Sequence, residues 1–212
     1  MTEYGHRFIP EEQKKDLIQL QPDTGWDTFR GIISKKLPKE FRTVVVDTVG
    51  PLYNLCMEWT CAKNNMSHPS DGAHGKGWNI VRLEFQNQIA RLANMCQSVN
   101  ATLLMIDHSK EEEIVTTTER TIKINCAMPG QARSVLLPVP DHIWYLGYAE
   151  PEDNEKVDPQ DAFKSKGSKR ALFVGGSIRI EAGCRDPKVK KAVIVPLSRL
   201  KPFEQLEKEL YT

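Results

Sequence analysis

The sequence has few of the features that mark membrane, secreted or disulfide-stabilised proteins. No stretch approaches about 18 uninterrupted apolar residues and the N-terminal residues are polar, so neither a membrane span nor a signal peptide is expected. Five cysteines are scattered without a C-x-x-C pair: Cys56, Cys61, Cys96, Cys126 and Cys184. An odd, unpatterned set predicts reduced thiols in a cytoplasmic protein rather than a disulfide framework or a zinc site.

A charge bias and the common hydrolase motifs are also missing. The chain has 29 basic and 28 acidic residues and a net charge of +1, so a nucleic-acid site would have to come from local clustering of charge. Neither G-x-S-x-G nor H-E-x-x-H occurs, which disfavours hydrolases of those types. His68, Asp71 and His74 share one loop, but their spacing is not that of a regular metal site.

Two apolar segments that each end on an acid are the strongest pattern in the chain. Thr43 is followed by three valines and Asp47, and a β-branched run without a polar interruption predicts a strand buried on both faces. A second such segment, 101–107, ends on Asp107 and is followed by His108. A long helical pattern lies between them. Strand, helix and strand in this order predict an α/β fold, whose ligands bind at the carboxyl ends of the strands.

The rest of the chain predicts further helices, loops and strands. Helices are expected at 11–20, 24–37, 52–63, 78–98 and 203–210, where apolar residues recur at helical spacing. Polar loops are expected at 64–77 and 110–130. Strands are expected at 143–146, 171–174, 178–181 and 192–195, and Gly175-Gly176 indicates a hairpin turn between the second and third of these.

The order of these segments resembles that of a RecA-like ATPase core. The segments that carry the resemblance are 42–48, 75–78, 106–110, 129–133, 140–143 and 181–186. In this order the chain is most similar to phage AAA-type ATP-binding proteins of single-strand-annealing recombination, over about residues 24–200. The resemblance implies an α/β fold with a RecA-like, mainly parallel sheet flanked by helices. It also implies an incomplete nucleotide-binding core at 1–149. The charged composition of 150–169 predicts a mobile surface loop, and the apolar runs after it predict an antiparallel, β-rich extension at 170–212.

An ATP and Mg²⁺ site at the end of the first strand is the main implication of the resemblance. Asp47 matches the Walker B carboxylate, which holds Mg²⁺ through water, and Thr48 lies beside it. His108 matches the polar residue that senses the γ-phosphate. Considered without the resemblance, Asp47 could instead cap the next helix or turn the chain, and His108 could be a structural histidine at a strand end.

The resemblance also implies a surface for single-stranded DNA. The loops 64–77 and 110–130 match the pair that faces DNA in RecA-like filaments. Basic side chains can bind phosphates there without reading sequence, and the candidates in and beside these loops are Lys76, Lys110, Arg120, Lys123 and Arg133. Three consecutive glutamates at 111–113 would repel a phosphate backbone. The alternative interpretation is therefore a pair of solvated surface loops.

A subunit contact is implied at Arg185. In related chains a similar arginine stands at this position, from which it could reach the nucleotide of a neighbouring subunit. The alternative is an ion pair with Asp186 or Glu181. The partners expected from the resemblance are therefore single-stranded DNA, a second copy of the chain or an intact ATPase subunit, and no membrane.

A Walker A loop, G-x-x-x-x-G-K-[ST], does not occur in the sequence. Gly75-Lys76 is not one, because Ser70 stands where the first glycine is required and Gly77 where the Ser or Thr is required. We expect either that the loop lies on an upstream piece or that this is a shortened homologue. The predicted function is ATP binding and single-stranded DNA handling in phage recombination or replication, in the host cytoplasm, with weak or no ATPase activity. The alternative is a non-catalytic, degenerate ATPase fold that docks onto DNA or protein.

Overall fold

The computed structural model describes residues 18, 20, 23–115, 120–149, 169–177, 179–186, 189 and 194–196. The described helices are α1 (Gly25–Ile33), α2 (Val49–Lys63), α3 (Lys76–Ser98) and α4 (Gly130–Leu136). The described strands are β1 (Thr43–Asp47), β2 (Thr102–Ile106), β3 (Ser109–Val115), β4 (Arg120–Cys126), β5 (His142–Ile143), β6 (Tyr145–Ala149), β7 (Lys169–Phe173), β8 (Gly183–Cys184) and β9 (Ile194–Pro196). The chain divides into a helical unit, 1–45 with 51–104, and a strand-rich unit, 46–50 with 105–212.

The helical unit is built on large apolar side chains from three helices. Trp26 and Phe29 lie one turn apart on α1 and are buried, as the predicted helical spacing requires. The Trp26 ring stacks on Phe85 of α3, with ring centroids 6.3 Å apart. Tyr53 of α2 meets Phe85 edge-on, with centroids 5.1 Å apart. Burial of such rings is the largest apolar contribution that single side chains make to a core.

The predicted loop at 64–77 contains two short 3₁₀ turns, Pro69–Asp71 and Ala73–Gly75, and α3 begins at Lys76. The Asp71 carboxylate accepts the backbone N–H groups of Ser67 at 2.8 Å and His68 at 2.9 Å. The His68 Nδ1 in turn accepts the N–H of Ser70 at 3.2 Å. These side chains cap a turn, and no group of three His, Cys, Asp or Glu suited to a metal occurs among the described residues.

Strands β1 and β2 form a two-stranded parallel sheet, close to their predicted positions. The prediction that they are buried on both faces is wrong. Residues along each strand alternate between exposed and half-buried, and the exposed fraction is 52% for Val45 and 44% for Leu104. The physical reason is that one side-chain face of this two-stranded sheet is not packed against other described residues, so the side chains on that face remain in contact with solvent.

The strand-rich unit is mainly antiparallel, so the predicted mainly parallel sheet is shown only in part, by the β1–β2 pair. β3 pairs with β4, β5 with β8, and β7 with both β6 and β9, all antiparallel. Among the described residues of this unit, parallel pairing beyond β1–β2 is limited to an isolated bridge between Ile124 and Ile180. Ile124, Ala171, Phe173 and Ile180 form its apolar cluster, against which Tyr145 packs.

The predicted polar loop at 110–130 is wrong, because 109–115 and 120–126 form the β3–β4 hairpin. Alternating polar and apolar residues such as Arg120 to Cys126 are typical of a half-exposed strand, and here the polar residues had obscured that pattern.

The predicted hairpin through Gly175-Gly176 does not form, since β7 pairs with β6 and β9 instead. Helices expected at 11–20 and 203–210, and the mobile loop at 150–169 apart from Lys169, lie outside the described residues.

No helix in the described part of the chain is long and apolar enough to cross a membrane.

Candidate functional site

The carboxyl ends of β1 and β2 carry Asp47, which the sequence predicted as a site residue, and a second acid, Asp107. Asp47 closes β1, and Asp107 and His108 follow β2 directly. Asp47 is exposed, and within the described residues no hydrogen bond or ion pair occupies its carboxylate. The next residue, Thr48, is buried and is joined to Asp47 by a cis peptide bond. Because the strands are parallel neighbours, both acids lie at the same edge of the sheet.

Asp107 accepts a hydrogen bond from a thiol and lies close to the start of α2. The Cys126 thiol, at the end of β4, donates to one Asp107 carboxylate oxygen at 2.7 Å. The other carboxylate oxygen lies 3.2 Å from the position that a Cβ on Gly50 would take. Burial, followed by the hydrogen bond to Asp107, raises the pKa of the Cys126 thiol to about 12. The thiol is therefore a protonated donor at neutral pH.

His108 is exposed at the end of β2, where the sequence placed it. Its backbone carbonyl accepts the N–H of Ala127 at 2.8 Å. That bond joins the end of β2 to the residue that follows β4. The β3–β4 hairpin therefore restrains the segment that carries Asp107 and His108. Its position beside two acids allows an imidazole to act as a donor at this edge.

Two carboxylates at one strand edge are suited to a hard divalent cation. Mg²⁺ takes oxygen ligands, keeps several of its waters and needs only one or two protein carboxylates. The Asp47 carboxylate is exposed and has no hydrogen bond or ion pair within the described residues, whereas one oxygen of the Asp107 carboxylate accepts from Cys126. These oxygen donors are of the type that Mg²⁺ prefers.

A family model described as an AAA domain matches residues 8–184 of the 212-residue chain. The chain belongs to the AAA domain family. Members of this family are nucleotide-binding, ATPase-like proteins that generally bind ATP with Mg²⁺. Searches of curated proteins and of solved structures found no match. The AAA match includes both acids, His108 and the β3–β4 hairpin, and it ends one residue before Arg185.

Three basic candidates for DNA binding lie on the β3–β4 hairpin of this AAA domain. Lys123 stands opposite Glu112 in the strand register. Arg120 forms an exposed ion pair with Glu113, with an Arg120 guanidinium nitrogen 3.7 Å from a Glu113 oxygen. Lys110 is exposed, and its partner in the strand register is Asn125, two residues from Lys123. Because residues two apart on a strand point to the same face, Lys110 and Lys123 lie on one face of the hairpin. The glutamates at 111–113 thus alternate between the two faces and oppose the basic groups on each.

Arg133, the fourth candidate in this unit, is directed into the protein. Its side chain is only 18% exposed, and its guanidinium lies 2.9 Å from Glu181 and 3.7 Å from Glu112. Asn125 donates to the same Glu112 carboxylate at 2.6 Å. These four side chains form a polar cluster, in which Arg133 Nε, Asn125 Oδ1 and one Glu181 oxygen are buried without a hydrogen-bond partner among the described residues. Arg133 is therefore engaged by carboxylates of its own chain.

The two remaining predicted residues lie at exposed positions. Lys76 is the first residue of α3 in the helical unit, directly after Gly75, whose φ of 75° suits glycine. Arg185 follows β8, and its guanidinium donates to the Pro138 carbonyl at 2.6 Å. The alternative that Arg185 pairs with Glu181 is not what is observed, since the Glu181 carboxylate accepts from Arg133.

Sequence reasoning missed Asp107, Cys126 and Gly50 as members of the site. The signal for Asp107 was present, because it ends a strand in the same way as Asp47. The contact of Cys126 with Asp107 spans 19 positions and depends on a hairpin that the polar composition of 110–130 concealed. Gly50 had no signal beyond its place next to a proline.

Proposed function

We propose that this AAA domain contributes the Walker B side of an Mg²⁺-ATP site and handles single-stranded DNA in phage-type recombination or replication. The observation that carries the proposal is the exposed, unengaged carboxylate of Asp47 at the end of a parallel strand, beside a second acid on the neighbouring strand. A carboxylate in that position holds the cation of a bound nucleotide, as the AAA family membership leads us to expect.

Each residue of the edge has a distinct part in the proposal. Bound Mg²⁺-ATP supplies a cation that neutralises phosphate charge. Asp47 holds that cation through water. Asp107, restrained by the Cys126 thiol, maintains the negative potential of the edge and orients water. His108 senses the terminal phosphate as a hydrogen-bond donor, and its backbone bond to Ala127 passes a shift to the hairpin.

Hydrolysis by this chain alone is expected to be weak or absent. The amides and lysine of a G-x-x-x-x-G-K-[ST] loop normally cradle the phosphates, and the sequence has no such motif. At the described edge the charged residues are acids, which hold a cation but repel the phosphates themselves. Nucleotide affinity would then depend strongly on Mg²⁺, and turnover would need phosphate-binding groups that this sequence does not supply.

The test of the nucleotide proposal is a titration of fluorescent ATP into the full chain with and without Mg²⁺. Asp47→Asn keeps the shape of the side chain and removes its charge, and we expect it to weaken Mg²⁺-dependent binding about tenfold or more, which corresponds to about 1.4 kcal/mol. Asp23→Asn, at an exposed acid before α1, is the matched control and should leave binding unchanged. Equal affinities for wild type and Asp47→Asn would overturn the proposal.

For DNA, we propose that the hairpin binds the phosphates of a single strand through Lys110, Lys123 and Arg120. Lys76, in the helical unit, is a separate candidate for a phosphate contact. Opposing glutamates make this binding modest and strongly salt-dependent. The double variant Lys110→Gln/Lys123→Gln should lower the slope of log K against log salt by about 1.4, since each single-strand phosphate contact contributes about 0.7. Lys35→Gln/Lys36→Gln makes the same change of charge at exposed residues and should keep the wild-type slope. Identical slopes for both double variants would refute the assignment.

One observation favours a second candidate function, docking onto an intact ATPase subunit. Val45, Leu104 and Ile106 are 52%, 44% and 38% exposed on β1 and β2, and apolar side chains exposed together on a sheet face are typical of an interaction surface. Binding by this face would respond little to salt. Val45→Asp would abolish it, while leaving the salt-dependent DNA binding in place.

A further inference from the structure

One cysteine of this chain differs from the other four in its surroundings. Burial raises the pKa of the thiols of Cys56, Cys61, Cys96 and Cys126. Cys184, which is half-buried, differs because its sulfur lies within hydrogen-bond distance of an imidazole.

The pairing of β5 with β8 brings that base to the sulfur. His142 and Cys184 are directly opposite in the antiparallel register, so their side chains are on the same face. The sulfur lies 3.0 Å from His142 Nδ1, and it also accepts the backbone N–H of Asp186 at 3.2 Å. The Trp144 ring packs against the imidazole, with centroids 5.4 Å apart. A histidine within hydrogen-bond reach and a backbone donor are the features that activate a cysteine nucleophile.

We propose that Cys184 is a reactive thiol, activated by His142, that forms a mixed disulfide with low-molecular-weight disulfides. His142 Nδ1 takes the thiol proton, and the Cys184 thiolate attacks one sulfur of the disulfide. A new sulfur–sulfur bond to Cys184 forms as the original one breaks. The departing thiolate takes the proton back from His142, so one disulfide is consumed and one small thiol is released.

A mixed disulfide at Cys184 would change the position of Arg185, the next residue in the chain. Formation of the mixed disulfide removes the sulfur from its contact with His142, at a β5–β8 ladder of only two residue pairs. Arg185 is anchored beside it, through its backbone N–H to the Asp141 carbonyl at 2.8 Å and its guanidinium to the Pro138 carbonyl. Modification of Cys184 would therefore release Arg185. This modification does not depend on nucleotide or DNA binding.

The test is the reaction of the folded full chain with 2,2′-dithiodipyridine. Absorbance measures the coloured thiol that is released, and intact mass measures the number of adducts on the protein. We expect one fast adduct that peptide mapping assigns to Cys184. His142→Gln should slow this adduct by about tenfold or more near neutral pH, because no base then stands beside the thiol to take its proton. The charged neighbours Asp141, Arg185 and Asp186 are retained in every variant.

Controls separate activation from simple exposure. Cys184→Ser should abolish the fast phase, whereas Cys96→Ser should leave it unchanged. Mapping the first adduct in the wild-type chain decides the assignment even if a variant fails to fold. A first adduct on another cysteine, or a His142→Gln rate equal to wild type across about pH 5 to 9, would overturn the proposal.

Discussion

The helical unit and the strand-rich unit both bury apolar side chains, but their other interactions differ. The centre of the helical unit is aromatic, with Trp26 and Tyr53 both against Phe85. The strand-rich unit has an apolar cluster around Phe173 and, in addition, a partly buried cluster of charged side chains in which Arg133 lies between Glu181 and Glu112. Apolar burial stabilises in proportion to area and is not directional. A buried ion pair contributes little net stability but fixes geometry.

This difference suggests a division of roles between the two units. The residues proposed to hold Mg²⁺ and to sense phosphate belong to the strand-rich unit, at residues 46–50 and 105–108. In that unit, displacement of a carboxylate should affect Mg²⁺ and nucleotide binding more than the loss of a buried methyl group would. The helical unit supplies the bulk of the aromatic burial, so its substitutions should act on stability first and on binding only through unfolding.

The largest expected effect is in the aromatic centre. Phe85→Ala should lower the free energy of unfolding by about 3–5 kcal/mol, because it leaves a cavity between two rings and removes a side chain that is 0% exposed. Chemical denaturation monitored by tryptophan fluorescence measures this. Leu83→Ala, at a 43%-exposed position of the same helix, is the control and should cost less than about 1 kcal/mol. Similar losses for the two variants would contradict a core centred on Phe85.

The polar cluster should give the next largest effect and a different signature. Arg133→Met should cost about 2–3 kcal/mol, since it leaves the Glu181 carboxylate, which is 17% exposed, without its partner. The double variant Arg133→Met/Glu181→Leu should recover part of that loss, because no charge is then left buried alone. Unfolding free energies of the single and double variants complete the cycle.

Arg120→Met is the matched control for this cycle, since the Arg120–Glu113 pair has side chains 77% and 58% exposed. It should change stability by less than about 1 kcal/mol. A double variant less stable than Arg133→Met alone would show that the cluster stabilises the unit rather than only fixing its geometry.

The sequence predicted the helical unit better than the strand-rich unit, for a physical reason. Helical periodicity is local, and α2 and α3 were found within three residues of their observed ends. β3 and β4 were missed because Glu111–Glu113 and Lys123 read as loop, whereas their strand conformation comes from pairing across the hairpin. The first strand pair was located correctly, but its exposure depends on which strands cover it, and no local pattern encodes that.

The candidate site was predictable to the same extent. Asp47 and His108 follow from strand ends, so their positions were found. The Cys126–Asp107 bond and the burial of Arg133 depend on contacts between residues 19 and 48 positions apart. Composition carries no information on such contacts, which is why Arg133 looked like a free DNA-binding arginine.

A smaller effect is expected from pH in the helical unit. Burial raises the pKa of the Cys56 thiol from 9.0 to about 12, so above pH 9 the unfolded chain loses a proton that the folded chain keeps. Stability from this group is fully present below pH 9 and is lost as pH rises towards 12, by at most about 1.4 kcal/mol per pH unit. Cys56→Ala should show less decline than wild type between pH 9 and pH 10 in urea unfolding. Parallel curves would mean that the thiol ionises normally in the fold.

The smallest expected effect is a difference in stability between alanine substitutions at two glycines, one from each unit. Gly31 lies inside α1 with nothing within 4 Å of an added Cβ, so Gly31→Ala should stabilise by up to about 1 kcal/mol through helix propensity. Gly50 also lies in a helix, but its added Cβ would stand 3.2 Å from an Asp107 carboxylate oxygen. Gly50→Ala should therefore gain less, because the carboxylate must shift away from the Cys126 thiol. Thermal unfolding of both variants measures the difference. An equal gain at both positions would mean that the Asp107 carboxylate shifts away from the added methyl group without a cost in stability.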